Sequence, residues 1–247
     1  RDRWLDDRLR SVPVYPLDGV RLRPPLPSPS KIVAIGRNYA DHAHETGDEI
    51  PDRPLIFAKF PTTVVGPGDD IFWDPALTQQ VDYEAELAVI IGQRARHVPA
   101  ARALDVVFGY CCGNDVSARD LQNGDGQCVR GKSLDTFCPL GPAIVPRAEV
   151  QDPSNLRIAC RVNGVTVQES STARMVFGIP ALIEFITRFC TLLPGDVILT
   201  GTPHGTGAFR RPPVLLRDGD IVEVEIEGVG LLRNPCREVP QAHVRPA

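Results

Sequence analysis

The chain has 247 residues and a formal net charge of −4, from 27 lysines and arginines against 31 aspartates and glutamates. The two signs are interspersed, which disfavours nucleic-acid and anionic-membrane partners and favours work on a small molecule. No run approaches the roughly 18 apolar residues of a spanning helix, and the first ten residues are too charged for a signal peptide. A cytoplasmic protein is therefore expected. The seven cysteines form no C-x-x-C pair, which predicts buried thiols rather than disulfides.

The predicted elements begin after a proline-rich start. Residues 1–28 carry five prolines, which prevent a long helix, so we interpret them as an N-terminal lead-in segment before a catalytic domain at 29–247. A short strand starts at Ile32, and the segment A-D-H-A-H-E-T that follows favours a helical turn.

The second half of the chain gives clearer patterns. Asn163-Gly164 between two apolar runs predicts a hairpin with a tight primed turn. Residues 178–193 have the apolar spacing of an amphipathic helix, and the strand V-I-L-T follows. A strictly alternating strand from Ile221 or Val222 to Gly228 should hold its glutamates in water. Many short strands and few helices predict an α+β, strand-rich fold.

The stretch V-D-Y-E-A-E-L-A-V-I-I-G starting at Val81 places Glu84 and Glu86 two residues apart in an apparent strand. Side chains two apart share a face, so the carboxylates point the same way, and Asp82 is a candidate to join them. Such a pair is compatible with an ordinary solvated face. It is equally the arrangement that attracts a hard divalent cation, and Asp115, after an apolar stretch, offers a third carboxylate.

Residues 126–133, G-Q-C-V-R-G-K-S, match the phosphate-loop pattern, but no buried strand precedes them, and prolines and glycines soon after prevent a long helix. Nucleotide binding is therefore disfavoured.

Five segments in order along the chain resemble the fumarylacetoacetate hydrolase family, from about Lys31 to Val239, and specifically its bacterial single-domain acylpyruvate hydrolases and 2-hydroxyhepta-2,4-diene-1,7-dioate isomerases. The segments are Ile35–Glu45, Val81–Gly92, Gly113–Gln122, Gly131–Pro142 and Leu199–Gly207. The resemblance implies a rolled mixed sheet, a homodimer, and a Mg²⁺- or Mn²⁺-dependent enzyme, with Ca²⁺ as a third candidate ion, acting on a small 2-oxo acid.

The same resemblance assigns roles to residues. Glu84, Glu86 and Asp115 would hold the metal. His42, Glu45 and Lys132 would be catalytic, and Arg37, Tyr39, Gln122 and Thr202 would bind substrate. His42 and Glu45 are three apart, so on a helix the carboxylate can orient the imidazole as a base. Asp120 is interpreted as structural, paired with Arg119, and His204 receives no role.

We therefore expect hydrolysis of a C–C bond in a 2,4-dioxo acid of the acylpyruvate or fumarylpyruvate type. His42 would activate water, while the metal and Lys132 would stabilise the resulting enolate. Oxaloacetate-type decarboxylation and 2-hydroxydienoate isomerisation are alternatives at the same site. A non-catalytic, metal-dependent binder of dicarboxylates is an alternative of another class.

Overall fold

The computed structural model describes residues 15–47 and 49–240. Within this part, the strands are β1 (Ile32–Gly36), β2 (Leu55–Lys59), β3 (Val64–Val65), β4 (Ile71–Trp73), β5 (Val81–Asp82), β6 (Ala85–Ile91), β7 (Val107–Asn114), β8 (Ser117–Ala118), β9 (Cys138–Pro146), β10 (Arg157–Val162), β11 (Val165–Ser171), β12 (Val197–Leu199), β13 (Ile221–Ile226) and β14 (Gly230–Glu238). The α-helices are α1 (Ala40–Thr46), α2 (Arg119–Asp125), α3 (Val129–Lys132) and α4 (Ile179–Phe189).

Seven of the strands form a mixed sheet in the spatial order β2, β1, β12, β6, β7, β9, β3. Strand β6 lies at its centre and is antiparallel to both β12 and β7. Every residue of β6 is buried, which explains why its sequence, A-E-L-A-V-I-I, is almost wholly apolar. The one glutamate in that run, Glu86, therefore sits in the interior.

A second sheet of five strands, in the order β11, β10, β13, β14, β4, contributes its inner face to the same core. The predicted hairpin is confirmed: β10 and β11 are antiparallel and joined at Asn163 and Gly164, whose φ angles are +52° and +77°. Two successive positive φ values are those of a type I′ turn. Strands β5 and β8 form a further two-stranded sheet. The α+β, strand-rich fold class predicted from the sequence is confirmed, with three sheets and few helices in the described residues.

Helix α4 confirms the amphipathic pattern, with Ile179, Leu182, Ile183 and Ile186 buried. It ends at Phe189, four residues before the predicted end, and that side chain is 58% exposed.

The alternation in β13 predicted that its glutamates face water, but the structure gives them a different environment. Glu223 and Glu225 are partly buried and form ion pairs with Arg161 of β10. Arg161 lies on the neighbouring strand, and such cross-strand pairs are invisible to the pattern of one strand alone.

The predicted lead-in falls partly outside the described residues, which begin at 15. Residues 15–28 hold a short 3₁₀ turn at Leu17–Gly19 and otherwise irregular backbone. The division at residue 28 stays a prediction.

Candidate active site

A cleft of about 380 Å³ opens beside β1 and β2, which contribute Ile35 and Phe57 to its lining. Its lining includes His42, Glu84, Arg119, Gln122, Lys132 and Thr202. Five of these six residues were proposed from the sequence, although they come from five separate segments of the chain. The fold therefore gathers them at one place.

Glu84, Glu86 and Asp115, the acid triad, lie with one carboxylate oxygen from each within 4.8 Å of the others. Their exposures are 5%, 1% and 0%, which excludes the solvated strand face. Glu86 lies on β6 opposite Gly113 of β7, and the N–H of Asp115 donates to the backbone carbonyl of Glu84 at 2.9 Å. Pairing of β6 with β7 thus joins two segments that lie about thirty residues apart.

The local geometry differs from one continuous strand. Strand β5 ends at Asp82 and β6 begins at Ala85, so Glu84 lies in the break between them. The side chain of Asn114 fixes this break by accepting the N–H of Glu84 at 3.0 Å.

Asp82 does not join the triad. Its carboxylate accepts the N–H groups of Gly207 and Ala208 and the Nε of Arg119, at 2.7, 3.0 and 2.9 Å. Because the strand is broken at residue 84, the alternation that would have aligned Asp82 with Glu84 is interrupted.

Two buried lysines contact the triad. Lys132 Nζ donates to Glu84 Oε2 at 2.7 Å and to Asp115 Oδ2 at 2.8 Å. Lys59 Nζ donates to the other oxygen of Asp115 at 2.6 Å and to the carbonyl of Val116. The ammonium of Lys132 also lies over the ring of Phe57, 5.2 Å from its centroid. Lys132 therefore contacts the carboxylate oxygens of the triad directly, and it also lines the cleft.

The pKa values of two triad residues, Glu86 and Glu84, are shifted in opposite directions. Burial, together with the charges of Asp115 and Glu84, raises the pKa of Glu86 well above its ordinary value. Burial also acts to raise the pKa of Glu84, but Lys132 and Arg119 outweigh it and the net pKa is lowered. A carboxylate that is crowded by others and resists ionisation gains from a nearby cation. The donor set of three carboxylates, all oxygen ligands, therefore fits a hard divalent ion such as Mg²⁺.

His42 and Glu45 lie one turn apart on α1, as expected from their spacing. His42 Nδ1 lies 3.2 Å from Glu45 Oε2, and the other Glu45 oxygen accepts the N–H of Gly205 at 2.9 Å. With Nδ1 turned to the carboxylate, Nε2 is the ring nitrogen available to a substrate. Burial acts to raise the pKa of Glu45, but hydrogen bonds from His42 and Gly205 prevail and lower it.

The proposed substrate residues divide into two groups. Arg37, Gln122 and Thr202 line the cleft. Tyr39 is fully buried, does not appear in the cleft lining, and lies close enough to the triad that the charge of Glu86 adds to burial in raising its pKa. Its role in substrate binding stays a prediction.

Arg119 is a cleft residue that the sequence did not assign. The expected Arg119–Asp120 pair is wrong: Asp120 instead accepts Thr78 Oγ1 at 2.6 Å and the N–H of Gln79. Arg119 forms ion pairs with Asp82 and with Glu84, the latter at 2.6 Å, and donates to Gln122 at 3.1 Å. Lys59 was missed as well, because no local pattern marks a lysine whose partner is 56 residues away.

The phosphate-loop lookalike has the wrong surroundings for nucleotide binding. Helix α2, not a strand, precedes it, and Lys132 ends the four-residue helix α3 with its ammonium on the acid triad.

Comparison with known proteins places the chain in a family. The model of the fumarylacetoacetate (FAA) hydrolase C-terminal family matches residues 31–237. The chain belongs to the fumarylacetoacetate hydrolase family. The resemblance seen in the sequence segments is thereby confirmed.

Relatives within this family carry several activities in their names. The chain is 49% identical to the mitochondrial oxaloacetate tautomerase FAHD2A of Bos taurus over 225 residues, which are 90% of this chain and 71% of the relative. It is 44% identical to a fumarylacetoacetate hydrolase of Exiguobacterium antarcticum, with a TM-score of 0.86 over 94% of this chain and 83% of that one. A 2-hydroxyhepta-2,4-diene-1,7-dioate isomerase of Mycobacterium marinum is 42% identical, with a TM-score of 0.81 over 92% and 82% of the two chains.

The chain is thus similar to tautomerases, isomerases and hydrolases at comparable identity. In the part of the chain that the structure describes, no helix has the length and apolar character needed to cross a membrane.

Proposed function

We propose that this chain is a metal-dependent enzyme that moves a proton between oxygen and carbon of a 2-oxo acid, interconverting the enol and keto forms of a small dicarboxylate such as oxaloacetate. The observation that carries the proposal is the placement of His42, held by Glu45, on the same cleft as Glu84 and Lys132. A base that faces a cluster of cations and carboxylates is the arrangement needed for proton transfer beside a carbonyl.

The acid triad would hold one Mg²⁺ or Mn²⁺, which would supply Lewis acidity and a template for the carboxylate and keto oxygens of the substrate. Lys132 Nζ places a fixed positive charge where the C2 oxygen becomes negative. Protonated His42 delivers a proton from Nε2 to C3, the C2 hydroxyl releases its proton to solvent, and solvent reprotonates the imidazole, so enol and keto forms have the same atoms. Glu45 stabilises the protonated imidazole during the transfer.

The names of the relatives favour proton transfer over the hydrolysis expected from the sequence, because tautomerases and isomerases are similar to this chain over about nine-tenths of its length. Hydrolysis, the activity expected from the sequence, is therefore the second candidate. Hydrolysis of an acylpyruvate remains a candidate because the His42–Glu45 pair can equally activate water, and the Exiguobacterium antarcticum protein is named a hydrolase.

The test is a turnover screen with Mg²⁺ on three substrates: enol oxaloacetate, a 2-hydroxydienoate and an acylpyruvate. Loss of the enol absorbance faster than the buffer-catalysed rate, without release of CO₂, supports the proposal. Cleavage of the acylpyruvate without acceleration of either enol would favour the hydrolase. Release of CO₂ from oxaloacetate would favour the decarboxylase, and metal-dependent binding without turnover of any substrate would favour the dicarboxylate binder.

The homodimer, the cytoplasmic location and the lack of nucleic-acid or membrane partners belong to the same proposal. Static light scattering measures the first of these directly, and a mass of one chain would contradict it.

A further inference from the structure

Phe209 packs against two residues of the cleft, His42 and Arg119. Its ring is edge-on to that of His42, with centroids 6.1 Å apart and planes at 77°. The guanidinium of Arg119 lies over the same ring, 5.9 Å from its centroid. Phe209 lines the cleft and is 42% exposed, so it is not filling the core, whereas His42 is only 7% exposed.

The backbone around Phe209 is tightly held. Asp82 accepts the N–H groups of the two preceding residues, Gly207 and Ala208. Gly207 is required for this approach, since a Cβ there would lie 1.9 Å from the carbonyl oxygen of Val214 and 2.6 Å from Asp82 Oδ1. On the other side, Arg210 donates to the carbonyl of Val167 at 2.8 Å. The ring is therefore presented from a fixed loop.

We infer that Phe209 determines which reaction His42 serves, by covering the imidazole and keeping solvent water from it. The inference rests on the proposed function and deepens it. Proton transfer to C3 needs the imidazole and the substrate alone. Hydrolysis needs a water as well: its oxygen bonds to the distal carbonyl carbon, the C3–C4 bond breaks, and the released electron pair takes up a proton at C3. Because a dry site suppresses reactions of water, an apolar ring beside the base favours the first reaction over the second.

The contacts of Phe209 are those of a side chain that covers the imidazole, and not only those of a side chain that fills space. The aromatic ring touches the imidazole itself, and its other neighbour is a guanidinium whose attraction to the ring face holds it in place. Phe209 is a positioning residue in this account, because it acts through His42 and through the exclusion of water.

The experiment compares Phe209→Ala and the conservative Phe209→Leu with wild type and with Phe189→Ala. Phe189 is a similarly exposed phenylalanine at the end of α4, outside the cleft lining. The first readout is the ratio of acylpyruvate hydrolysis to enol-oxaloacetate ketonisation. We expect Phe209→Ala to raise this ratio by about tenfold or more, Phe209→Leu to raise it less, and Phe189→Ala to leave it unchanged.

The second readout does not depend on activity. Diethylpyrocarbonate modifies accessible imidazoles, and mass spectrometry of peptides gives the rate at each histidine. We expect His42 to react faster in Phe209→Ala, while the rate at His204, whose side chain is already 48% exposed, stays constant as an internal reference.

The outcomes separate the inference from the proposed function. If the wild type ketonises no enol, the proposed function fails, and the labelling rate at His42 still decides whether Phe209 covers it. An unchanged His42 labelling rate in both Phe209 variants would overturn the inference. An equal fall of both reactions, at a constant ratio, would overturn it as well, because Phe209 would then serve His42 without choosing between carbon and water.

Discussion

Glu86 of the acid triad lies on the central strand β6, and Glu84 and Asp115 lie next to the paired ends of β6 and β7. His42 and Glu45 instead lie on a helix of seven residues. The triad is fixed by the pairing of β6 with β7 and by two buried lysines. The His42–Glu45 pair is fixed to the loop at Gly205 by a hydrogen bond. We call these the inner end and the outer end of the cleft.

The difference between the two ends follows from what each would do. Metal ligands must keep their oxygens at fixed mutual distances, which the pairing of β6 with β7 provides for the triad. A general base has to reach only one substrate carbon, and a single oriented imidazole is enough for this. Substitutions at the inner end should therefore abolish binding, and those at the outer end should reduce turnover while binding persists.

The largest effect is expected for Glu86→Ala at the inner end. Loss of one of three carboxylate ligands should weaken Mg²⁺ binding by more than about 100-fold, since even residues behind the ligands are worth 10 to 100-fold. The fold should persist, because removing one of three crowded carboxylates relieves repulsion. Calorimetric titration measures the affinity, with Glu223→Ala, a partly buried glutamate of β13, as the matched control. Unchanged Mg²⁺ affinity in Glu86→Ala would show that the triad does not hold the metal.

Lys132→Met tests the charge that the inner end directs at the substrate. We expect kcat to fall by about 10²- to 10³-fold, the usual effect of removing one stabilising group from developing charge. Mg²⁺ affinity should hold or rise, because the ammonium that competes for Glu84 and Asp115 is gone. A parallel loss of Mg²⁺ affinity would mean that Lys132 shapes the triad rather than serving the substrate.

Asp82→Asn tests the residue that links the two ends. It keeps the side-chain shape but removes the buried charge that pairs with Arg119 and accepts two N–H groups of the loop. Breaking a buried ion pair from one side costs about 3 kcal/mol, so the free energy of unfolding in urea should fall by that order. A loss no larger than that of an exposed pair, such as Arg102–Asp105 broken by Asp105→Asn, would contradict the structural role of Asp82.

Glu45→Gln should give the smallest effect, and one that depends on pH. Because the pKa of Glu45 is lowered in the folded protein, its charged form stabilises the fold above the unfolded pKa of about 4.3. That contribution, about 1 kcal/mol for a partly exposed hydrogen-bonded carboxylate, should be lost as the pH falls through the folded pKa. Urea unfolding of both proteins should show a constant difference from pH 6 to 8 that shrinks below about pH 4. A difference that does not shrink as the pH is lowered would show that the charge is not its source.

Local patterns in the sequence predicted much of the fold and most of the residues that line the cleft near the triad. The Asn163-Gly164 turn and the apolar stripe of α4 follow from backbone and periodicity alone, and both are present. The spacing of His42 and Glu45 placed them on one helical face, and that contact is present as well.

What the sequence did not yield are contacts made across the fold. Arg119 was expected to pair with its neighbour Asp120, but its partners Asp82 and Glu84 lie more than thirty residues away. Phe209 follows a glycine-rich loop, and only the folded loop brings its ring to His42. The break between β5 and β6 removed Asp82 from the triad, since alternation describes a strand only while the strand continues.

The most direct test of the division between the two ends measures binding and turnover in His42→Ala side by side. Oxalate resembles the enolate of a 2-oxo acid, so its Mg²⁺-dependent affinity reports on the inner end. We predict that His42→Ala binds oxalate as wild type does while kcat for ketonisation of enol oxaloacetate falls by about 10²- to 10⁴-fold. His44→Ala, which removes an exposed histidine from the same helix, should change neither quantity. Wild-type turnover in His42→Ala, or a loss of oxalate affinity as large as the loss of turnover, would contradict the account.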